Sequence, residues 1–349
     1  VTSWKKSAFK AIGIDTPIEH DQRYLQADEY LRVLYKLWES SWAPDAIIED
    51  VANDSYIDPD KVRQINHHGQ FYDIEARHIV DPSPQRTPFL FQAGTSAAGS
   101  EFAATHAEAV FMTGHSPAVL APKVAKIRAL AAAKGRDPES IKIFCTFTPI
   151  IGRTEEEAQE KFAELKKYVS TVGGLVLFSG WSGIDMSTLP LGKVITAEDS
   201  KETHKITSLV SSLEHTSDVQ PAWTPEAVAE KASIGGFGGF AVGTAAKVAD
   251  ELEKFVSEAD IDGFNIGYVT TPGSFEDVVE LLVPELRRRG VYSEAPAQDQ
   301  EGGEYEWTAR EKVFGKGQRE LREDHTGAGY KYDKYVEEKP FVKPIVAEA

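Results

Sequence analysis

The chain has 349 residues, 41% apolar and 27% charged, which allows two ordinary domains or one large α/β barrel and excludes a disordered chain. Its net charge of −17 speaks against nucleic-acid binding, which needs clustered Lys and Arg, and reads as a solvated acidic surface. A single cysteine, Cys145, excludes an internal disulfide framework and fits a reducing, cytoplasmic setting, and no stretch nears the roughly 20 apolar residues of a membrane-spanning helix.

The start, VTSWKK, carries no charged-then-apolar signal pattern. It also lacks methionine and any capping leader, so it reads as processed, cloned or missing an upstream part. Thr16-Pro17-Ile18-Glu19 predicts a helix start, with Thr as cap, Pro at the first helical position and Glu closing a capping box. Tyr24, Ala27, Leu31, Leu34 and Trp38 then fall at spacings of three and four and predict one apolar face, ending near Ser40. Residues 45–80 are polar and mixed and predict an insertion containing a hairpin. His67 and His68 within it read as surface or hairpin residues, since adjacent strand side chains cannot face one metal.

Beyond Asp81-Pro82-Ser83-Pro84 the pattern becomes regular. PFLFQAG, AVFMTG, IKIFCTFTPII and DGFNIGYV read as strands, followed by helices over 97–106, 117–134, 154–169 and 274–289. Alternating strand and helix implies parallel strands with crossover helices. Residues 170–223 interrupt the pattern with a Gly-, Ser- and aromatic-rich excursion of the kind that is usually functional or disordered. A helix starting at Thr224-Pro225 follows, and another opens at Thr244. Between them GGFGGFAVGT mimics a dinucleotide fingerprint, but a helix rather than a strand precedes it, so its glycines read as a tight loop. We divide the chain into a domain over 1–290, with insertions at 45–80 and 170–223, and a polar extension over 291–349 that packs on the surface or stays mobile.

Neither a nucleophile elbow nor a P-loop is present. His20 and Tyr24, four apart, share a face near a helix N-terminus, where N–H groups and the dipole favour an anion; Tyr24 also fits the apolar stripe and His20 a simple first-turn residue. Ser96 follows a strand and opens a helix beside Gly94, so it reads equally as a helix cap or as part of a phosphate cradle.

HDQRYLQADEYLRVLYKLWESSW, PFLFQAGTSAAGSEFAATHAEAVF, GWSGIDMS and DGFNIGYVTTPGSFEDVVELLVPELRRRGVY resemble the flavin-dependent monooxygenases of the bacterial-luciferase-like superfamily. The branch is the one with nitrilotriacetate, EDTA, dibenzothiophene-sulfone and long-chain-alkane monooxygenases, and the similarity runs from Val1 to about Tyr292. EWTAREKVFGKGQRELREDH resembles the ending common in that branch. The resemblance implies a (β/α)8 TIM barrel with FMN at the C-terminal ends of its strands, of which this chain lacks the first three strands and most of the fourth. It implies flavin-phosphate contacts from His20, Tyr24 and Ser96, with Thr95 and Ala97 beside them and Thr2 and Ser3 from the fourth strand. Trp181, Ser182 and Asp185 would belong to a lid or substrate wall; the bland alternative is a packed surface insertion. The implied activity is oxygenation of a small organic substrate by O2 through a flavin C4a-hydroperoxide, with reduced FMN from a separate NAD(P)H:flavin reductase and a homo-oligomeric full-length protein. A deazaflavin-dependent oxidoreductase of the same superfamily and an inactive, non-catalytic barrel fragment are the other expectations.

Overall fold

The computed structural model describes residues 6–196, 213, 222–292 and 307–337. Two antiparallel hairpins come first in the chain, β1 (Ile47–Asp50) with β2 (Ser55–Ile57) and β3 (Ile65–His68) with β4 (Asp73–Ala76). Five parallel strands follow: β5 (Phe91–Ala93), β6 (Ala109–Met112), β7 (Lys142–Gly152), β8 (Gly239–Thr244) and β9 (Gly263–Ile266). The helices are α1 (Lys6–Ala11), α2 (His20–Tyr35), α3 (Ala97–His106), α4 (Pro117–Ala133), α5 (Glu155–Lys166), α6 (Thr171–Ser182), α7 (Pro225–Ser233), α8 (Ala245–Ala259), α9 (Gly273–Asp277), α10 (Val283–Arg288) and α11 (Ala309–Phe314). None is long and apolar enough to cross a membrane among the described residues.

The length of β7 organises the sheet. Phe144 and Cys145 pair with β6 on one edge and with β9 on the other, while Phe147–Gly152 run on to pair with β8. Alternation along β7 decides what each face meets. Ile143, Cys145 and Phe147 enter a buried cluster with Val110 and Met112 of β6 and with Ile127, Val248, Leu252 and Phe255 from the apolar stripes of α4 and α8. On the opposite face Phe91, Phe111 and Phe144 gather, with Phe91 and Phe111 stacked at 4.8 Å. Phe91 keeps 51% of its surface exposed. Caps end the crossovers as the sequence requires: Thr154, Thr224 and Thr244 each accept a backbone N–H of the helix they precede.

The structure departs from the sequence reading at several places. α2 begins at His20, not Pro17, and Glu19 makes no side-chain cap. The Arg23 guanidinium instead holds the Ile18 carbonyl at 2.5 Å. The expected apolar stripe of α2 is only half-buried, and the buried face carries Glu29, Tyr35, Lys36, Glu39 and Ser40. Residues 45–80 form two hairpins rather than one, and His67 is buried between Glu29 and Lys36 while His68 stays exposed. The first part of the 170–223 excursion is helical, as α6. The expected tight glycine loop is present at its start, where Gly235 and Gly236 turn at φ +77° and +74°, but Gly239–Thr244 form β8. A side chain at Gly238, just before the strand, would meet the Thr146 carbonyl oxygen at 2.4 Å, so glycine there permits close approach to β7. The described part of the C-terminal extension is not merely superficial. Arg310 on α11 is fully buried, and its five N–H groups reach both Glu108 carboxylate oxygens and the carbonyls of Gln85, Thr87 and Arg319.

Candidate functional site

β5 ends at Ala93, and the chain must turn sharply before α3. Gly94 makes that turn at φ +135°, a conformation that favours glycine. Ser96 is the cap of α3: its hydroxyl oxygen accepts the Gly99 N–H at 3.1 Å, and its carbonyl accepts the Ser100 N–H at 2.8 Å. The N–H groups of Ala97 and Ala98 belong to the same first turn, whose donors have no intrahelical acceptor.

α2 brings two more groups to this turn. His20 Nε2 lies 3.4 Å from Ser96 Oγ, and its Nδ1 lies 2.6 Å from the Asp21 carboxylate. With the Nδ1 proton on Asp21, Nε2 accepts the Ser96 proton, while Ser96 Oγ keeps accepting from Gly99. Tyr24 sits edge-on to His20 with 5.2 Å between ring centroids. Its hydroxyl lies over the two glycines of the turn. A side chain at Gly94 would stand 3.0 Å from that oxygen, and one at Gly99 would stand 2.8 Å from it. The Gly-x-Ser-x-x-Gly spacing of residues 94–99 therefore admits both the cap and the tyrosine.

Gln92, one of the buried residues of β5, was missed by sequence reasoning. Its Nε2 lies 3.4 Å from the Gly99 carbonyl oxygen, and its Oε1 is buried without a hydrogen-bond partner. A buried amide oxygen left unpaired costs free energy, and it marks the floor of this turn as a polar spot. A lone Gln inside the apolar strand FLFQAG was the available signal.

Thr95 and Ala97 flank Ser96 in this same turn, and the other expected site residues fall elsewhere or outside the described residues. Thr95 directs its carbonyl to Ser100 Oγ at 3.4 Å, and Ala97 is the exposed first residue of α3. Thr2 and Ser3 lie outside the described residues. Trp181, near the end of α6, meets Phe237 edge-on at 6.4 Å. Ser182 is buried; its hydroxyl donates to the Phe178 carbonyl and accepts the Ile184 N–H. Asp185 is exposed and accepts from the Ser187 N–H and hydroxyl. Among the described residues no hydrogen bond or ring contact joins these three to His20, Tyr24 or Ser96. They flank a second, smaller core in which Phe178, Met186, Trp223, Val228 and Phe237 pack around α6 and α7. Trp223 of that core meets His115, on the loop after β6, with ring centroids 5.1 Å apart. The excursion is thus seated on the loop adjacent to Gly94–Ala97, a link that no local pattern announces.

Residues 1–262 match the family model "Luciferase-like monooxygenase". Among curated proteins the chain is 42% identical to the long-chain alkane monooxygenase of Geobacillus thermodenitrificans, covering 95% of this chain and 68% of that protein. It is 41% identical to the dimethyl-sulfide monooxygenase of Hyphomicrobium sulfonivorans, covering 96% and 67%. Among solved structures, a riboflavin lyase crystallised with modified FMN and riboflavin superposes with a TM-score of 0.79 at 34% identity, over 94% of this chain and 69% of that one. Parallel strands with crossover helices, the Ser96 turn under α2 and these likenesses agree: the chain belongs to the luciferase-like monooxygenase family.

Proposed function

We propose that this protein is a reduced-FMN-dependent monooxygenase acting on a small, uncharged organic molecule, and that the Gly94–Gly99 turn with His20 and Tyr24 holds the flavin phosphate. The observation that carries the reading is Ser96, whose hydroxyl already serves as cap yet stands 3.4 Å from His20. Cap and cradle are then not alternatives, because the oxygen accepts from Gly99 while its proton, which His20 Nε2 takes in this structure, can turn to an anion when one binds. The fit to a phosphate rests on the first-turn N–H groups of α3 and the Tyr24 hydroxyl over the same turn. His20, once protonated, adds a positive donor on the α2 side, steadied by Asp21.

Reduced FMN would supply the electrons that let O2 give one oxygen atom to substrate and leave the other as water. What the chain contributes is binding, orientation and exclusion of water. His20, Tyr24 and Ser96 would fix the phosphate end and so the reach of the ring. Trp181, exposed at the edge of the core that holds Phe237 and Trp223, would give an aromatic surface suited to an uncharged substrate such as those named for the two curated relatives. Thr95 and Ala97 would contribute backbone groups, with Thr2 and Ser3 completing the flavin site and Ser182 and Asp185 shaping the wall. We further propose that the parallel strands form part of a (β/α)8 barrel, which the Phe91–Phe111–Phe144 cluster, with Phe91 half exposed at its edge, supports. A separate flavin reductase, a homo-oligomeric full-length protein and a cytoplasmic setting complete the proposal.

Flavin titration of Ser96→Ala and Tyr24→Phe tests it. Each is expected to weaken FMN binding by about 1–3 kcal/mol, the worth of a hydrogen bond to a charged group. Unchanged affinity in both variants would sink the site assignment, and tighter binding of a deazaflavin than of FMN would sink the cofactor assignment.

A further inference from the structure

Site residues of this turn come from two different helices, so something must fix α2 against α3. The contacts between them form a ladder. At the top the Tyr24 hydroxyl lies over Gly94 and Gly99. One step down, Tyr24 meets Phe102 with ring centroids 5.6 Å apart, and Phe102 meets His106 at 4.8 Å. At the bottom His106, the last residue of α3 and almost wholly buried, lies 2.8 Å through Nε2 from the Asp28 carboxylate and 3.0 Å through Nδ1 from the Tyr35 hydroxyl. Both carboxylate and phenol are on α2, seven residues apart, so one imidazole is pinned to two successive turns of the neighbouring helix.

The partners define the tautomer. Asp28 can only accept when ionised, so Nε2 carries the proton, and Nδ1 accepts from Tyr35. Burial holds the His106 imidazole below its usual range, and the His106 hydrogen bond holds the Asp28 carboxyl below its own. Groups from the surrounding elements complete the setting. His325 Nε2 donates to the His106 carbonyl at 2.9 Å, Arg136 donates to the carbonyls of Ala104 and Ala107, and Arg32 pairs with the other Asp28 oxygen at 3.0 Å. Nothing in this set can reach the turn at Ser96: Gly99 and His106 are seven residues apart, about 10 Å along a helix.

We propose that Asp28 and His106 are positioning residues for the phosphate end of the flavin, locking α2 to α3 so that His20 and Tyr24 stay registered over Ser96. The inference rests on the phosphate reading of that turn. A hydrogen bond has a narrow range of length and angle, so the pin sets the sliding position of one helix along the other, and an error of about 1 Å at a binding constellation is costly.

FMN and riboflavin differ by the phosphate, so their affinity ratio separates positioning from general stability. Both ligands are titrated against the unaltered protein, Asp28→Ala, Asp28→Asn and Ser96→Ala, with thermal melting of each. Asp28→Ala is expected to lower the preference for FMN over riboflavin at least fivefold. Asp28→Asn, which keeps an acceptor for Nε2, retains most of that preference. Arg128→Ala serves as control: it removes contacts to Asp260 and Asp262, on the turn that leads into β9, and should lower the melting temperature without moving the ratio. Should Asp28→Ala not fold, His106→Gln, which keeps an N–H where Nε2 stands, must hold the preference that His106→Leu loses. Equal losses for both ligands, or none, in Asp28→Ala overturn the positioning role. A ratio unmoved by Ser96→Ala, or an unaltered protein that does not prefer FMN, overturns the phosphate reading itself.

Discussion

Two parts of this molecule are buried in opposite ways. Behind β7 the interior is apolar: Ile143, Cys145, Phe147, Val248, Leu252 and Phe255 meet with no charge among them. Around α2, α3, the second hairpin and the C-terminal segment, the interior is charged. Glu29 takes the N–H groups of Gln70, Phe71 and Tyr72 and pairs with His67, which bonds Lys36. Glu39 holds Thr87, and Arg310 holds Glu108. The first part is held by area removed from water and tolerates small losses of volume. The second is held by directional bonds in which each group compensates another, so losing one partner leaves a buried charge alone. The candidate flavin site stands on the second kind of interior. A site that must hold its groups in fixed geometry is better served by directional contacts than by apolar ones, which set volume rather than register.

The largest effect should come from breaking the charged interior at its most buried member. Arg310→Met is expected to cost about 3–5 kcal/mol by leaving Glu108 uncompensated. Removing both charges in Arg310→Met/Glu108→Leu should restore a substantial part of that, as read by urea unfolding. A double variant no better than the single one would mean that the two interiors do not differ as described.

Acid provides the next test. Burial pushes the His325 imidazole down to about 3, against an unfolded value near 6.5. Between those values the unfolded chain binds the extra proton, so this contribution is fully present above about pH 6.5 and is lost as pH falls towards 3, at up to about 1.4 kcal/mol per pH unit. His106, also lowered by burial, acts in the same direction. His325→Gln should flatten the dependence of the urea midpoint on pH between 4 and 6; an unchanged slope would remove His325 from the account.

In the apolar interior Ile143→Val should cost only about 0.5–1.5 kcal/mol, with no dependence on pH across that window. A larger, pH-dependent loss would blur the contrast. Smallest of all, Lys247→Ala breaks an exposed pair with Glu155, and denaturation should register no more than about 1 kcal/mol, shrinking in salt.

Much of the scaffold was legible before any coordinates. The strand–helix units after residue 88 were readable because apolar runs and capping residues are local signals, and the caps at Thr154, Thr224 and Thr244 stand where the sequence put them. His20, Tyr24 and Ser96 were legible as anion-suited residues, and the structure brings them together. What misled was periodicity on α2. Its apolar stripe predicted the buried face, yet that face carries Glu29, Lys36 and Glu39, because residues 31 to 48 positions away supply their partners. The glycine run was half legible: Gly235 and Gly236 make the expected turn, but Gly239–Thr244 form a strand, which with so little side chain looks like a loop until β7 is beside it.

Local chemistry by itself determined the starts of α5, α7 and α8, the alternation of β7 and the hydroxyl at the mouth of α3, since each depends on residues within a few positions. Only the tertiary structure decided that Ser96 faces His20, that His106 is pinned between Asp28 and Tyr35, and that Arg310 crosses back to Glu108, 202 positions earlier in the chain. A buried charge is favourable only where a distant partner meets it, and no local pattern records where that partner will be.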